Sequence, residues 1–145
     1  MRNLVLDASV IVKWFVAEPD SDRAEQLFND EGVNIIPGHA LGEIGQVLLA
    51  RFKKREIGQA QFDLARRVLP AAFVVVPINE IFDRAINIAL GINQTLYDAL
   101  YVAAAERWET VLVTADERLV RSVGATPWAE RVLPLNDLNR GNVSV

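Results

Sequence analysis

The sequence predicts an α/β domain with a mainly parallel central sheet. Short apolar runs, NLVL (3–6), VNII (33–36), VVV (74–76) and TVLV (110–113), have the length of buried strands. Longer stretches with helical periodicity separate them, the alternation that builds parallel sheets through helical crossovers. No repeat, low-complexity tract or linker interrupts the chain, so residues 1–145 read as one domain.

NLVL opens the chain as a strand, and ASVIVKWFV (8–16) follows with a helix-like pattern that stops before Glu18-Pro19. A helix is expected over 20–32, capped by Ser21 or Asp22 and ended by Gly32. VNII closes at Pro37-Gly38, and 39–55 reads as a long helix with a basic end. Residues 58–73 are mostly helical, with Pro70 limiting the last turn. After VVV, 79–91 is amphipathic, with Gly91 expected as the glycine just past its end. A helix over 95–108, the strand TVLV, a short helix over 116–124 and a last strand over 131–135 complete the pattern. The tail from about residue 139 is polar and is expected to be loose. The order of the strands cannot be read from this pattern.

Composition removes several chemistries. The chain has no Cys, which excludes a disulfide scaffold, a thiol nucleophile and a Cys-ligated metal, and fits a reducing cytoplasm. A single His leaves little room for a zinc site or a Ser-His-Asp triad. The N-terminal apolar run is interrupted by Asp7 and Lys13, unlike a signal peptide, and no stretch has the length of a membrane span. A net charge of −4 argues against a general nucleic-acid coat but permits a local basic patch.

Four carboxylates are out of place. Asp7 ends the first strand and Asp116 the fourth, where open parallel sheets bind ligands, although an Asp there is also a natural helix cap. Glu43 lies on or beside the apolar stripe of its helix, flanked by Gly42 and Gly45, which would let a metal or substrate come close; a Glu at the stripe's edge can equally reach to water. Asp98 sits in TLYDALYVAAAE, a helix apolar on nearly every side. Thr95 as N-cap with Asp98 at the third helical position would form a capping box, but a cap alone does not account for the apolar surround. Two carboxylates 4 Å apart repel by about 4 kcal/mol at an effective dielectric near 20. If these four converge, an all-oxygen cluster suits Mg²⁺ or Mn²⁺ and phosphate chemistry.

The ordered set of a strand ending in D-A-S, a helical E-I-x-x-V-L after a Pro, the helix T-L-Y-D-A-L-Y-V-A-A-A-E, and V-T-A-D after a late strand resembles the PIN domain. More closely, the chain looks like a VapC-type toxin of a type II toxin–antitoxin pair, from Asn3 to about Leu135. The resemblance implies a three-layer α/β/α sandwich, usually dimeric, and an Mg²⁺- or Mn²⁺-dependent ribonuclease in which a metal-activated water attacks the scissile phosphate. It carries Asp7, Glu43, Asp98 and Asp116 over as the acids of the metal site, with Ser9 and Thr114 lining the pocket. Gln46 stands where the family often has Asn. It also implies an antitoxin; an acidic pocket invites a partner that inserts a basic side chain.

RFKKR (51–55) places Arg51, Lys53 and Lys54 at a helix end, where they either complement the helix dipole or contact the RNA backbone. Arg66, Arg67, Arg118 and Arg121 are further candidates. His39 can touch the pocket rim or bond locally; Trp14, Phe15, Trp108 and Trp128 can stack bases or pack. Two non-catalytic readings compete. A binding module would use the acidic pocket as a dock. A phosphoacceptor receiver would need an Asp after a middle strand and a late Lys, but VVV is followed by PIN and no Lys follows Lys54.

Overall fold

The computed structural model describes residues 2–138; the tail expected to be loose lies outside them. Strand β1 (Asn3–Leu6) leads into helix α1 (Ala8–Ile11), which tightens into a 3₁₀ turn over Val12–Trp14. Then come α2 (Ser21–Asn29), β2 (Val33–Pro37), α3 (Ala40–Lys53) and α4 (Gln59–Val68). The 3₁₀ turn Leu69–Ala71 carries Pro70, whose missing N–H ends α4 before β3 (Val74–Val76). The chain continues through α5 (Ile78–Ile92), α6 (Leu96–Arg107), β4 (Leu112–Thr114), α7 (Glu117–Val123) and β5 (Val132–Pro134).

The five strands form one sheet in the order β3-β2-β1-β4-β5, and every pair is parallel. Central β1 is buried from Leu4 to Leu6, with Val5 opposite Ile35 on one side and Leu112 on the other. Helices cover both faces, giving the three-layer α/β/α sandwich. Helix α6 packs on β1, β2 and β4 with α5 against it, which is why every residue from Ala99 to Ala105 is buried. No helix of the described residues is long and apolar enough to cross a membrane.

The order creates a switch point. β1 connects onward to β2 on one side, whereas its other neighbour β4 connects onward to β5 on the opposite side. The crossovers therefore diverge at the carboxyl ends of β1 and β4, leaving a crevice there. Asp7 and Asp116 follow those two ends.

Some boundaries differ from expectation. Asp20, at φ 65°, precedes α2, and the Ser21 hydroxyl accepts from the Glu18 amide and donates to the Val16 carbonyl instead of capping the helix. That helix ends at Asn29, short of Gly32. Helix α5 runs through Gly91 and stops at Asn93, whose left-handed backbone (φ 54°) makes the exit. Gly91 serves packing: a Cβ there would lie 2.6 Å from Trp128 Cζ3. Strand β4 starts at Leu112, two residues later than expected.

Candidate active site

Asp7 occupies the N-cap position of α1, yet its side chain makes no capping bond. Its Oδ2 instead accepts from Thr114 Oγ1 at 2.6 Å and Ser9 Oγ at 2.9 Å, tying the ends of β1 and β4 together. Ser9 Oγ also accepts from the Ala115 amide, and Thr114 Oγ1 from the Asp116 amide. Burial pushes the Asp7 carboxyl above the ordinary aspartate range, and the charges of Glu43 and Asp98 add to this; the two hydroxyls oppose it.

Glu43 projects from the first turn of α3 with its side chain 43% exposed. Tyr101 Oη donates to its Oε1 at 2.8 Å and accepts from the Ala8 amide at 3.3 Å. His39, at the start of the same helix, places Nε2 3.0 Å from the same oxygen, and its ring meets Tyr101 edge to face at 5.0 Å. Burial raises the Glu43 carboxyl, but His39 and Tyr101 outweigh it and hold the group below the ordinary range. Tyr101 is itself pushed far above the usual phenol range by burial and by the charges of Asp7 and Glu43, so it remains a donor.

At Asp98 the capping question resolves. Thr95 Oγ1 accepts from the Asp98 amide at 3.2 Å and caps α6, while the Asp98 carboxylate points elsewhere, with Oδ2 3.1 Å from Arg118 Nη2. Asp116 does cap: its Oδ1 accepts from the Arg118 and Leu119 amides at 3.0 and 3.3 Å. Its second oxygen, Oδ2, also takes Arg118 Nη2 at 3.1 Å. Arg118 thus bridges two of the four acids, and its Nη1 bonds the Gln94 side chain.

The four acids come to one end of the sheet, although among the described residues no three His, Asp or Glu side chains close around a common metal position. The donors fit a hard divalent ion in kind, being oxygens on rigid elements with a like-charge load on Asp7. Arg118 supplies the positive charge between Asp98 and Asp116 in this arrangement.

The other expected contributors divide. Gln46 is exposed one turn beyond Glu43. Arg51 is held by Glu18 at 3.0 Å and Glu56 at 2.9 Å, while Lys53 and Lys54 are exposed. Trp14 packs on Phe28 and Phe73 and donates to the Ala24 carbonyl. In the sequence Tyr101 looks like one more apolar position of α6, and Arg118 like one more cation available to RNA. The polar signal for Arg118 was its place two residues after Asp116.

The sequence pattern of the PIN domain matches residues 4–124. The chain belongs to the PIN domain family. No curated protein matches it. Several solved structures share the PIN fold with it. A toxin–antitoxin complex from Klebsiella pneumoniae matches over 91% of this chain and 97% of its own, with TM-score 0.63 and 16% identity. VapBC2 from Rickettsia felis, bound to a promoter DNA fragment, matches over 91% and 98%, with TM-score 0.59 and 11% identity. Mycobacterium tuberculosis VapC20, a Sarcin-Ricin loop cleaving toxin, matches over 74% and 84%, with TM-score 0.57 and 17% identity. At these identities the likeness is one of fold.

Proposed function

We propose that this PIN domain is an Mg²⁺- or Mn²⁺-dependent endoribonuclease and the toxin of a type II toxin–antitoxin pair. One observation carries the reading: Asp7, at the switch point, forgoes its cap and is held by Ser9 and Thr114 with its carboxylate loaded by the charges of Glu43 and Asp98. Such a concentration of carboxylates at a ligand-binding crevice is costly without a cation. The resemblance in fold to toxin–antitoxin proteins supports the biological role.

Asp7, Asp98 and Asp116 would hold the ion, with Glu43 beside them. A bound divalent ion would polarise the scissile phosphate and lower the pKa of an attacking water. The chain's own residues do the rest. Ser9 and Thr114 fix the Asp7 carboxylate in one rotamer, so its oxygens are preorganised. Glu43, kept ionised by His39 and Tyr101 and open to solvent, is placed to accept the proton that water loses. Lys53 and Lys54, exposed at the far end of α3, are available to RNA phosphates; Arg51, engaged by two carboxylates, contributes less.

The proposed antitoxin would insert a basic side chain into the acidic crevice, a geometry for which the Arg118 contacts are a precedent within the chain. A homodimer would cover some of the exposed apolar side chains, among them Val75, Phe82, Leu90 and Tyr97. The proposed place of action is the cytoplasm, where the RNA is.

Incubating RNA with the purified protein tests the activity. Cleavage should require Mg²⁺ or Mn²⁺, stop in EDTA, and be lost in the double variant Asp7→Asn with Asp98→Asn. Cleavage that persists in EDTA or in that variant would overturn the metal mechanism, and a protein that binds RNA without cutting it would support a dock.

A further inference from the structure

We propose that Arg118 is an intramolecular cation that a divalent ion must displace to load the carboxylate crevice. The inference rests on the metal-site reading above. It starts from Asp116, whose two oxygens are divided: Oδ1 is committed to the first turn of α7, accepting from the Arg118 and Leu119 amides, while Oδ2 makes no capping bond. That remaining oxygen is taken by Arg118 Nη2, which also reaches Asp98 Oδ2 at the same 3.1 Å. The oxygens an ion would use on two separate elements, α6 and the β4–α7 junction, are therefore joined by one guanidinium.

The geometry favours exchange over a permanent lock. The Arg118 backbone is anchored by the Asp116 cap, so the side chain cannot leave the neighbourhood, but it is 53% exposed and can swing into solvent. The Gln94 side chain, at the end of the loop before α6, accepts Nη1 and holds the guanidinium plane across the two carboxylates. A single positive charge cannot neutralise two carboxylates, whereas a divalent ion can, so the ion wins once its concentration is sufficient. Exposed ion pairs are weak, which keeps the arginine displaceable. Competition is reciprocal: whatever the arginine gains by sitting between the acids is subtracted from ion affinity.

Removing the arginine should therefore tighten metal binding without any RNA present. For two exposed pairs of ordinary strength, Arg118→Gln should bind Mn²⁺ about 3- to 30-fold more tightly. Titration calorimetry of the full chain with Mn²⁺ reads this directly. The metal-free variant should also melt lower than wild type and gain more in melting temperature on adding Mn²⁺. Arg121→Gln removes the same charge from the same helix at a side chain that is 73% exposed and, among the described residues, paired with Glu117. It should leave Mn²⁺ affinity near wild type, since a screened charge outside the crevice does not occupy a ligand position. Equal affinity in wild type and Arg118→Gln, or equal tightening in Arg121→Gln, would overturn the proposal while leaving the metal site standing. Absence of Mn²⁺ binding in both wild type and Arg118→Gln would overturn the metal reading and this inference with it.

Discussion

Tyr101 Oη lies 2.8 Å from Glu43 Oε1 and donates to it across 58 positions of sequence. The Tyr101 hydroxyl oxygen also accepts from the Ala8 amide, one residue after Asp7. A single hydroxyl on α6 therefore connects the start of α1 to the carboxylate of α3. Tyr101 is 2% exposed, so its partners cannot be replaced by bulk water without rearrangement.

Tyr101→Phe keeps the ring and removes the link. The Ala8 amide loses a partner, while half-exposed Glu43 can turn to water. Stability should fall by about 1–2 kcal/mol in urea titration, the range for a buried group left unsatisfied. RNA cleavage should fall more than stability predicts, because Glu43 then keeps only His39 to fix its rotamer. Unchanged turnover in a folded Tyr101→Phe protein would show that Glu43 does not need this anchor.

Asp98→Asn and Thr95→Ala separate cap from crevice. Thr95 caps α6 through its own hydroxyl, and Asp98 contributes only its amide to that bond. Asp98→Asn weakens the pair with Arg118 but keeps an oxygen for it, so the metal-free fold should stay within about 1 kcal/mol of wild type, the range for an exposed ion pair, while cleavage is abolished. Thr95→Ala should cost about 1 kcal/mol of stability with the crevice chemistry retained. A large loss of stability in Asp98→Asn would place its main role in the helix.

The glycines of α3 and α5 should respond in opposite directions to alanine. A Cβ at Gly42 or Gly45 meets nothing within 4 Å, so each substitution should stabilise α3 by up to ~1 kcal/mol. At Gly91 the new Cβ would strike the Trp128 ring, which is held by its bond to Glu106 and by Arg84 over its face. Gly91→Ala should lower stability by about 1–3 kcal/mol despite its better helix propensity. Thermal melts of the three variants check this. If Gly42→Ala or Gly45→Ala raises stability but weakens cleavage, the open face beside Glu43 is where RNA or its partner approaches.

Asp7→Asn should stabilise the metal-free protein at neutral pH. Burial raises the Asp7 carboxyl in the folded state, so ionising it favours the unfolded chain, which holds the same group at its ordinary value. For an acid raised in this way, stability from the group increases as pH falls from the folded value towards the unfolded one. The advantage of Asn over Asp should therefore be greatest at neutral pH and shrink on acidification, because protonated Asp7 no longer carries the charge. Melting temperatures of both proteins in EDTA across pH 4–8 check the sign. A gap that widens on acidification would contradict it.

Much of the fold was legible because burial imposes short apolar runs and helices impose a 3.6-residue period. Among the described residues the five strands and seven helices each overlap a stretch those patterns mark, with β2, β4 and α5 running one residue past it. The misses lie where a single contact overrides local preference. Gly91 has the composition of a helix stop, yet Trp128 needs the space it leaves, and Asn93 takes the left-handed turn instead. Ser21 has the composition of a cap, yet its hydroxyl is drawn to the loop before it.

For the crevice, the sequence alone determined that Asp7 and Asp116 follow strands and that Asp98 shares its first helical turn with a capping Thr95, since each of these is a local relation along the chain. Tertiary structure decided the rest. The strand order puts β1 beside β4, which brings Asp7 to Thr114, and the packing of α6 across the sheet carries Tyr101 to Glu43. It also decided which carboxylates cap and which do not, because a side-chain oxygen bonds the donor that folding places nearest: hydroxyls for Asp7, backbone amides for Asp116, and the Arg118 guanidinium for Asp98. Those partners are distant in sequence or set by backbone geometry, and only the folded chain brings them within hydrogen-bonding reach.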